Sequence, residues 1–207
     1  MRKLTDGMIL FSSPEPLRWG ALDLPLFGLG KDWHGAEISP AAGFALAQDG
    51  ERLWFLASRA KPAAPHPEAR PGKFVPRLWE HDVAELFLAD LASGRYLEFN
   101  LAPNGAWWNA EFTAPRVRTD GANLAMPDVQ TFAEQATDGS WVAALSLPLD
   151  VLQARIGYGP ETRANVTFIL DSPAQRFLTA TDLGGGEPDF HRPDRFAPLK
   201  PTAIPVF

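Results

Sequence analysis

The chain of 207 residues has no cysteine, and only three methionines, two tyrosines and four histidines. The missing cysteine excludes disulfides, thiol catalysis and cysteine-ligated zinc. There is no excess of positive charge either. The formal net charge is −6 and the isoelectric point near 5.2, so nucleic acid is not an expected partner. No apolar run approaches a membrane span. The opening MRKLTDGMILFSSPEP meets Asp6 and Gly7 before any stretch of signal-peptide length, and a cytoplasmic location is therefore expected. No Gly-x-Ser-x-Gly elbow occurs, and Gly184-Gly185-Gly186 lacks a following helical pattern, so it reads as a loop rather than a phosphate cradle. His34, His66, His81 and His191 share no helical or strand spacing, and no metal site is expected. Met1, Met8 and Met126 look terminal or loop-borne, which argues against haem ligation.

What is present favours strands. The chain is 45% hydrophobic and 11% aromatic, with twenty prolines and seventeen glycines punctuating short segments. That composition belongs to a folded globule rather than a disordered chain, and the length suits one all-β domain over residues 1–207. Residues 1–30 read as an N-terminal covering arm or edge strand around LRWGALDLPLFGLG. Residues 43–60 read as a hairpin about Asp49-Gly50. Residues 61–76 hold five prolines and read as a loop at the rim of a site. After a polar loop over 114–127, a second hairpin is expected about Asp138-Gly139. A helical turn with Asp150 at its N-cap and a strand over 165–170 follow. The pattern predicts a single antiparallel β-sandwich of roughly eight to eleven strands, of jelly-roll or immunoglobulin-like architecture.

The most informative stretch is Leu78–Phe112, read as a three-stranded meander over 83–89, 96–102 and 106–112. With Pro103-Asn104 as a two-residue loop, Asn100 faces Trp107, Glu98 faces Asn109 and Tyr96 faces Glu111. One face then carries Tyr96, Glu98, Asn100, Trp107 and Asn109, joined by Glu85 and Phe87 from the first strand. The opposite face carries Ala84, Leu86, Leu88, Leu97, Phe99, Leu101, Trp108, Ala110 and Phe112 and is the expected core. Trp108 is thus predicted buried and Trp107 available for binding.

Aromatic rings beside carboxylates and carboxamides suit a sugar. A ring stacks on the C–H face of a pyranose, while the polar groups form paired hydrogen bonds to neighbouring hydroxyls. Glu85 and Glu98 fall on adjacent strands, roughly 5–8 Å apart at Cβ, which is also the scale of a glycosidase carboxylate pair. A hydrolase using Glu85 and Glu98, and a protein-interaction domain with a degenerate site, are the alternatives to a non-catalytic sugar binder.

Three segments in order, LWEHDVAELFLAD, YLEFNLAPNGAWW and PDFHRPDRFAPL, resemble the DOMON-like sandwiches of the family 9 carbohydrate-binding modules. The resemblance runs from about Trp33 to Leu199. It implies a sugar end held between two aromatic rings, with charged and amide side chains reading its hydroxyls. By position, Trp79 matches the tryptophan before the strand glutamate, Glu85 that glutamate, and Glu98 and Asn100 the polar pair of the next strand. The family's second tryptophan has no counterpart here, and Phe177 is the nearest aromatic. Members also often hold structural calcium, for which Asp82, Asp90, Asp171 and Asp182 are the oxygen ligands to consider. The expected ligand-binding set is Trp79, Glu85, Glu98, Asn100, Trp107, Asn109 and Phe177, with no catalytic residue and no required cofactor.

Overall fold

The computed structural model describes residues 7–119 and 123–205. The first six residues of the expected arm, and residues 120–122 of the polar loop, lie outside it. Thirteen strands occur among the described residues: β1 Met8–Ser12, β2 Phe27–Lys31, β3 Glu37–Gln48, β4 Arg52–Arg59, β5 Val83–Asp90, β6 Arg95–Leu101, β7 Trp107–Ala114, β8 Val117–Arg118, β9 Gln130–Gln135, β10 Trp141–Pro148, β11 Arg163–Leu170, β12 Arg176–Thr179 and β13 Ala197–Ala203. One helix, α1 (Leu149–Ile156), follows β10. The count exceeds the expected range because of three short strands in segments that read as loop or arm: β8 at one end of the pairing order, and β2 and β12 off it.

The strands form one curled mixed sheet in the order β8-β7-β6-β5-β11-β13-β1-β3-β4-β10-β9, with β12 on β11 and β2 on β3. The fold is all-β and sandwich-like. Strand β13 joins the two halves: Ala197 and Pro198 pair with β11, and Leu199–Ala203 pair with β1. A strand that switches sheets in this way makes a corner of the sandwich. The pairings of β1 with β13 and β3 are parallel; those of the other named strands are antiparallel.

The main core lies between the halves. Leu86, Leu88, Leu97, Phe99, Val166 and Phe168 from one half meet Phe44, Leu46, Phe55 and Leu145 from the other. Two further apolar clusters lie on the outer faces. One gathers Leu24, Trp54 and Leu56, with Leu17, Trp19 and Leu22 of the N-terminal segment packed on it. The other sits on β5, β6, β7 and β11 and is roofed by Val75, Leu78, Leu183, Phe190 and Phe196. A sheet face roofed by loops is where a cleft can form.

The turn between β6 and β7 sets what that outer face contains. Ala102 pairs with Ala106, and the loop is Pro103-Asn104-Gly105, three residues rather than the two expected. Gly105 sits at φ 83, the left-handed position that ends a three-residue hairpin loop. Asn104 Oδ1 accepts from Ala106 N at 3.2 Å. Counting Gly105 in the loop moves the register by one. Leu101 faces Trp107, Asn100 faces Trp108 and Phe99 faces Asn109. Every side chain of β7 therefore changes face relative to the expectation. Trp107 belongs to the main core, edge-to-face with Phe74 at 5.0 Å. Trp108 belongs to the outer face. The Pro-rich segment 61–76 lies along β7, with hydrogen bonds from Val75 N to Trp107 O and from Trp107 N to Lys73 O.

A smaller correction concerns α1. Its N-cap is Pro148, and Asp150 lies within the first turn.

Candidate functional site

On the outer face of β5, β6, β7 and β11 a cavity of about 350 Å³ opens, lined by Trp79, Glu85, Glu98, Trp108, Phe177 and His191 among others. That volume is within the ~300–1,000 Å³ usual for small-molecule sites.

Its floor is polar because alternate residues of β5 and β6 point outward. Glu85 pairs across the sheet with Asn100 on one side and Thr167 on the other. Thr167 Oγ1 donates to Glu85 Oε2 at 2.6 Å, and Asn100 Nδ2 donates to Glu98 Oε1 at 2.7 Å. Glu98 faces Phe87 across the strand pair and so lies diagonal to Glu85. All four polar side chains are buried. Burial pushes the Glu85 carboxyl up to about 8, with the nearby Glu98 charge adding to the rise. Burial likewise raises Glu98 to about 7, against the opposing pull of Asn100, Arg118 and Arg116.

One wall is aromatic. Trp79, on the 3₁₀ turn Leu78–Glu80 just before β5, meets Trp108 edge-to-face at 4.9 Å. The Arg118 guanidinium lies over the Trp108 ring at 5.1 Å, and the indole N–H donates to Asn123 Oδ1 at 3.0 Å. Phe177 and Phe190 meet at 6.1 Å on the opposite side.

The remaining wall is a relay. Arg116 N donates to Tyr96 Oη at 3.0 Å, and Tyr96 Oη lies 2.8 Å from His191 Nδ1. The tautomer in which Nδ1 accepts the Tyr96 proton carries the single proton of the neutral ring on Nε2, 3.8 Å from Glu98 Oε2. Burial pushes His191 down to about 4, helped by the Arg116 charge, so its ring is neutral near pH 7. Arg116 is paired with Asp189 at 2.8 Å. It stands at φ 61 after Pro115, the third position of a tight turn where glycine is usual.

Of the residues expected at the site, Trp79, Glu85, Glu98 and Phe177 meet around this cavity. Asn100 lies beneath it and holds Glu98. Trp107 and Asn109 do not join them. Asn109 is on the opposite face of β7, where it accepts from Met126 N at 2.8 Å and donates to Leu124 O at 3.3 Å. Trp108, Arg116, Arg118 and His191 went unpredicted. The Phe-His-x-Pro segment carried the signal for His191. Pro115-Arg116 between two apolar-flanked stretches carried the signal for the β7–β8 turn that brings in both arginines.

The four aspartates considered for calcium are dispersed. Asp82 accepts from Ala64 N and Ser172 N, Asp90 from Ala92 N, and Asp182 from Gly184 N, while Asp171 pairs with Arg59 and Lys61. Among the described residues no group of three His, Asp or Glu side chains gathers as a metal site.

Comparison with known proteins gives no matching family model and no matching curated protein. Solved structures do match. A family 9 carbohydrate-binding module from Caldicellulosiruptor kristjanssonii, in complex with glucose, superposes with a TM-score of 0.62 at 15% identity, covering 97% of this chain and 98% of that one. The present chain shares that fold. A cellotriose complex of a family 9 module from the same organism gives a TM-score of 0.59 at 15% identity, covering 97% and 99%. A "putative carbohydrate-binding protein" from Bacteroides uniformis gives 0.66 at 18% identity, covering 86% and 87%. The likeness to the family 9 modules extends over nearly the whole length of both chains.

Proposed function

We propose that this protein binds carbohydrate without turning it over, seating a sugar in the cavity over β5, β6, β7 and β11. The observation that carries the reading is the pairing of an aromatic wall, Trp79 with Trp108, with a buried polar floor, Glu85 with Glu98, in one cavity of the sandwich. The family 9 modules of the same fold are in complex with glucose and cellotriose, which makes gluco-configured sugars the first ligands to try. In this reading Trp79 and Phe177 face the C–H surfaces of a ring, and Glu85, Glu98 and Arg118 meet its hydroxyls. Asn100 positions Glu98.

The carboxyl pair is also what a glycosidase would use. Binding is favoured because one oxygen of each carboxyl is already engaged, by Thr167 and by Asn100, and both groups are buried at the floor. Titration calorimetry with glucose, cellobiose and cellotriose, run beside Trp79→Ala and Glu98→Gln, tests the proposal. Saturable heat in the wild type, lost in both variants while their thermal melts persist, is the expected result. No heat with any sugar for folded wild-type protein would overturn it, and release of new reducing ends from cellotriose would convert it to the hydrolase reading.

A further inference from the structure

The floor of the cavity has more acceptors than donors. Glu85 and Glu98 bring four carboxyl oxygens, and Asn100, directly across from Glu85, keeps its Oδ1 buried with no hydrogen-bond partner. The neighbours that donate to the two carboxyls are Thr167 Oγ1 and Asn100 Nδ2. His191 Nε2 lies at 3.8 Å, beyond a good hydrogen bond. A buried acceptor without a donor costs free energy until something supplies the donor.

The charged side chains lining the cavity are Glu85 and Glu98 on the negative side and Arg116 and Arg118 on the positive side, with His191 neutral near pH 7 and Asp189 standing behind Arg116. Arg192, outside the lining, stands 3.7 Å from Asp189. Arg116 is held by Asp189, and Arg118 lies over Trp108 and donates to Asn123. Among the described residues the side chains hydrogen-bonded to the two floor carboxyls are both neutral, Thr167 and Asn100. Burial holds both carboxyls well above the usual carboxylate range.

The walls indicate which cation suits the floor. Trp79, Phe87, Trp108, Phe112, Phe177 and Phe190 ring the cavity, and aromatic faces attract organic ammonium groups. A divalent metal would want a further oxygen or imidazole ligand, and the described residues offer no such group of three.

We propose that the ligand of this cavity is an amine-bearing sugar, its ammonium seated between Glu85 and Glu98 and its ring against the aromatic wall. The proposal rests on the carbohydrate reading above and narrows it to a substrate class. An ammonium supplies three donors, two of which match the carboxyl oxygens that Thr167 and Asn100 leave free. On binding, one proton held by the glutamates leaves to solvent as the ligand's single charge replaces it.

The test is calorimetric titration of the full chain near pH 7 with glucosamine, glucose and cyclohexylamine, repeated in phosphate and in Tris. Glucosamine is expected to bind at least about tenfold tighter than glucose, as charge-assisted hydrogen bonds exceed neutral ones. Its heat should differ between the buffers, reporting proton release, whereas that of glucose should not. The double variant Glu85→Gln/Glu98→Gln should erase the preference. Thermal melts confirm that it folds; if it does not, the single Glu98→Gln variant serves. Equal or weaker binding of glucosamine than glucose overturns the proposal and leaves the carbohydrate reading intact. Binding of cyclohexylamine as tightly as glucosamine, with glucose silent, supports the cation seat and overturns the carbohydrate reading. Silence of all three overturns both.

Discussion

Trp107 and Trp108 are adjacent in the chain and serve opposite faces of β7. The first fills the core between the sheets against Phe74, and the second forms the cavity wall with Trp79. Their roles should separate on substitution. Trp107→Ala removes a buried aromatic from the main core and is expected to cost about 3–5 kcal/mol of unfolding free energy. Trp108→Phe keeps most of the apolar bulk but loses the indole donation to Asn123 and part of the ring under Arg118, a cost of about 1–2 kcal/mol. Urea denaturation measures both. Sugar titration should show the larger loss of affinity in Trp108→Phe, and native stability in Trp107→Ala would contradict the register.

Why these two roles were inverted in the sequence reading is instructive. The alternation of LFLA and LEFNL displayed the faces of β5 and β6 correctly, since each strand's pattern is its own. The face of β7 depends on the length of one turn. Pro-Asn-Gly is compatible with a two-residue loop ending before Gly105 and with a three-residue loop ending on it, and both keep a dry face and a mixed one. Two consecutive tryptophans made the choice invisible to pattern, because either can be the buried member. The floor was legible, since Glu85 and Glu98 break an otherwise apolar alternation. The wall of Tyr96, His191 and the arginines was not: His191 comes from a segment 95 residues from Tyr96, and the two arginines come from a turn and a two-residue strand after β7 that no periodicity marks. The whole fold class was legible because turn residues divide the chain into short alternating segments throughout.

The two floor carboxyls make stability depend on pH in a direction that can be worked out. Both titrate above their unfolded value near 4.5, at about 8 for Glu85 and about 7 for Glu98, because burial disfavours their charge. Between those limits the folded chain holds protons that the unfolded chain has released, so unfolding free energy falls as pH rises. His191 acts on the acid side. Its folded value near 4 lies below the ordinary 6.5, so the folded chain holds fewer protons there and stability falls as pH drops through that window. From pH 6.5 to 8 the glutamates dominate, opposed weakly by the last of the His191 titration in the unfolded chain, and the net loss should be on the order of 2 kcal/mol. Denaturation at pH 6.5 and 8 checks it. Glu85→Gln/Glu98→Gln should flatten that limb and unmask the opposite slope of His191 between about 4 and 6.5; an equally steep alkaline limb in the variant would assign it to other groups.

Asp82 is expected to be a structural clip. Its Oδ2 accepts from Ala64 N at 3.1 Å and its Oδ1 from Ser172 N at 2.8 Å, while Asp82 N donates to Ala64 O at 3.1 Å. One buried carboxylate thereby fastens the Pro-rich segment to the β11–β12 connection, three residues after Trp79. Asp82→Ala leaves two amides without acceptors and should cost about 2–4 kcal/mol. Asp82→Asn retains one acceptor and should cost about half as much. With each oxygen meeting an N–H donor, Asp82 is expected to serve the clip rather than calcium, and dialysis against EDTA should leave the melting temperature unchanged. A fall in melting temperature that added calcium reverses would show that these oxygens hold a cation instead. Asp82→Ala should also weaken sugar binding, since freeing the clip loosens the turn that presents Trp79 to the cavity. If stability drops while affinity in the folded fraction stays at the wild-type value, then Trp79 is held by its own packing on Trp108 and not by Asp82.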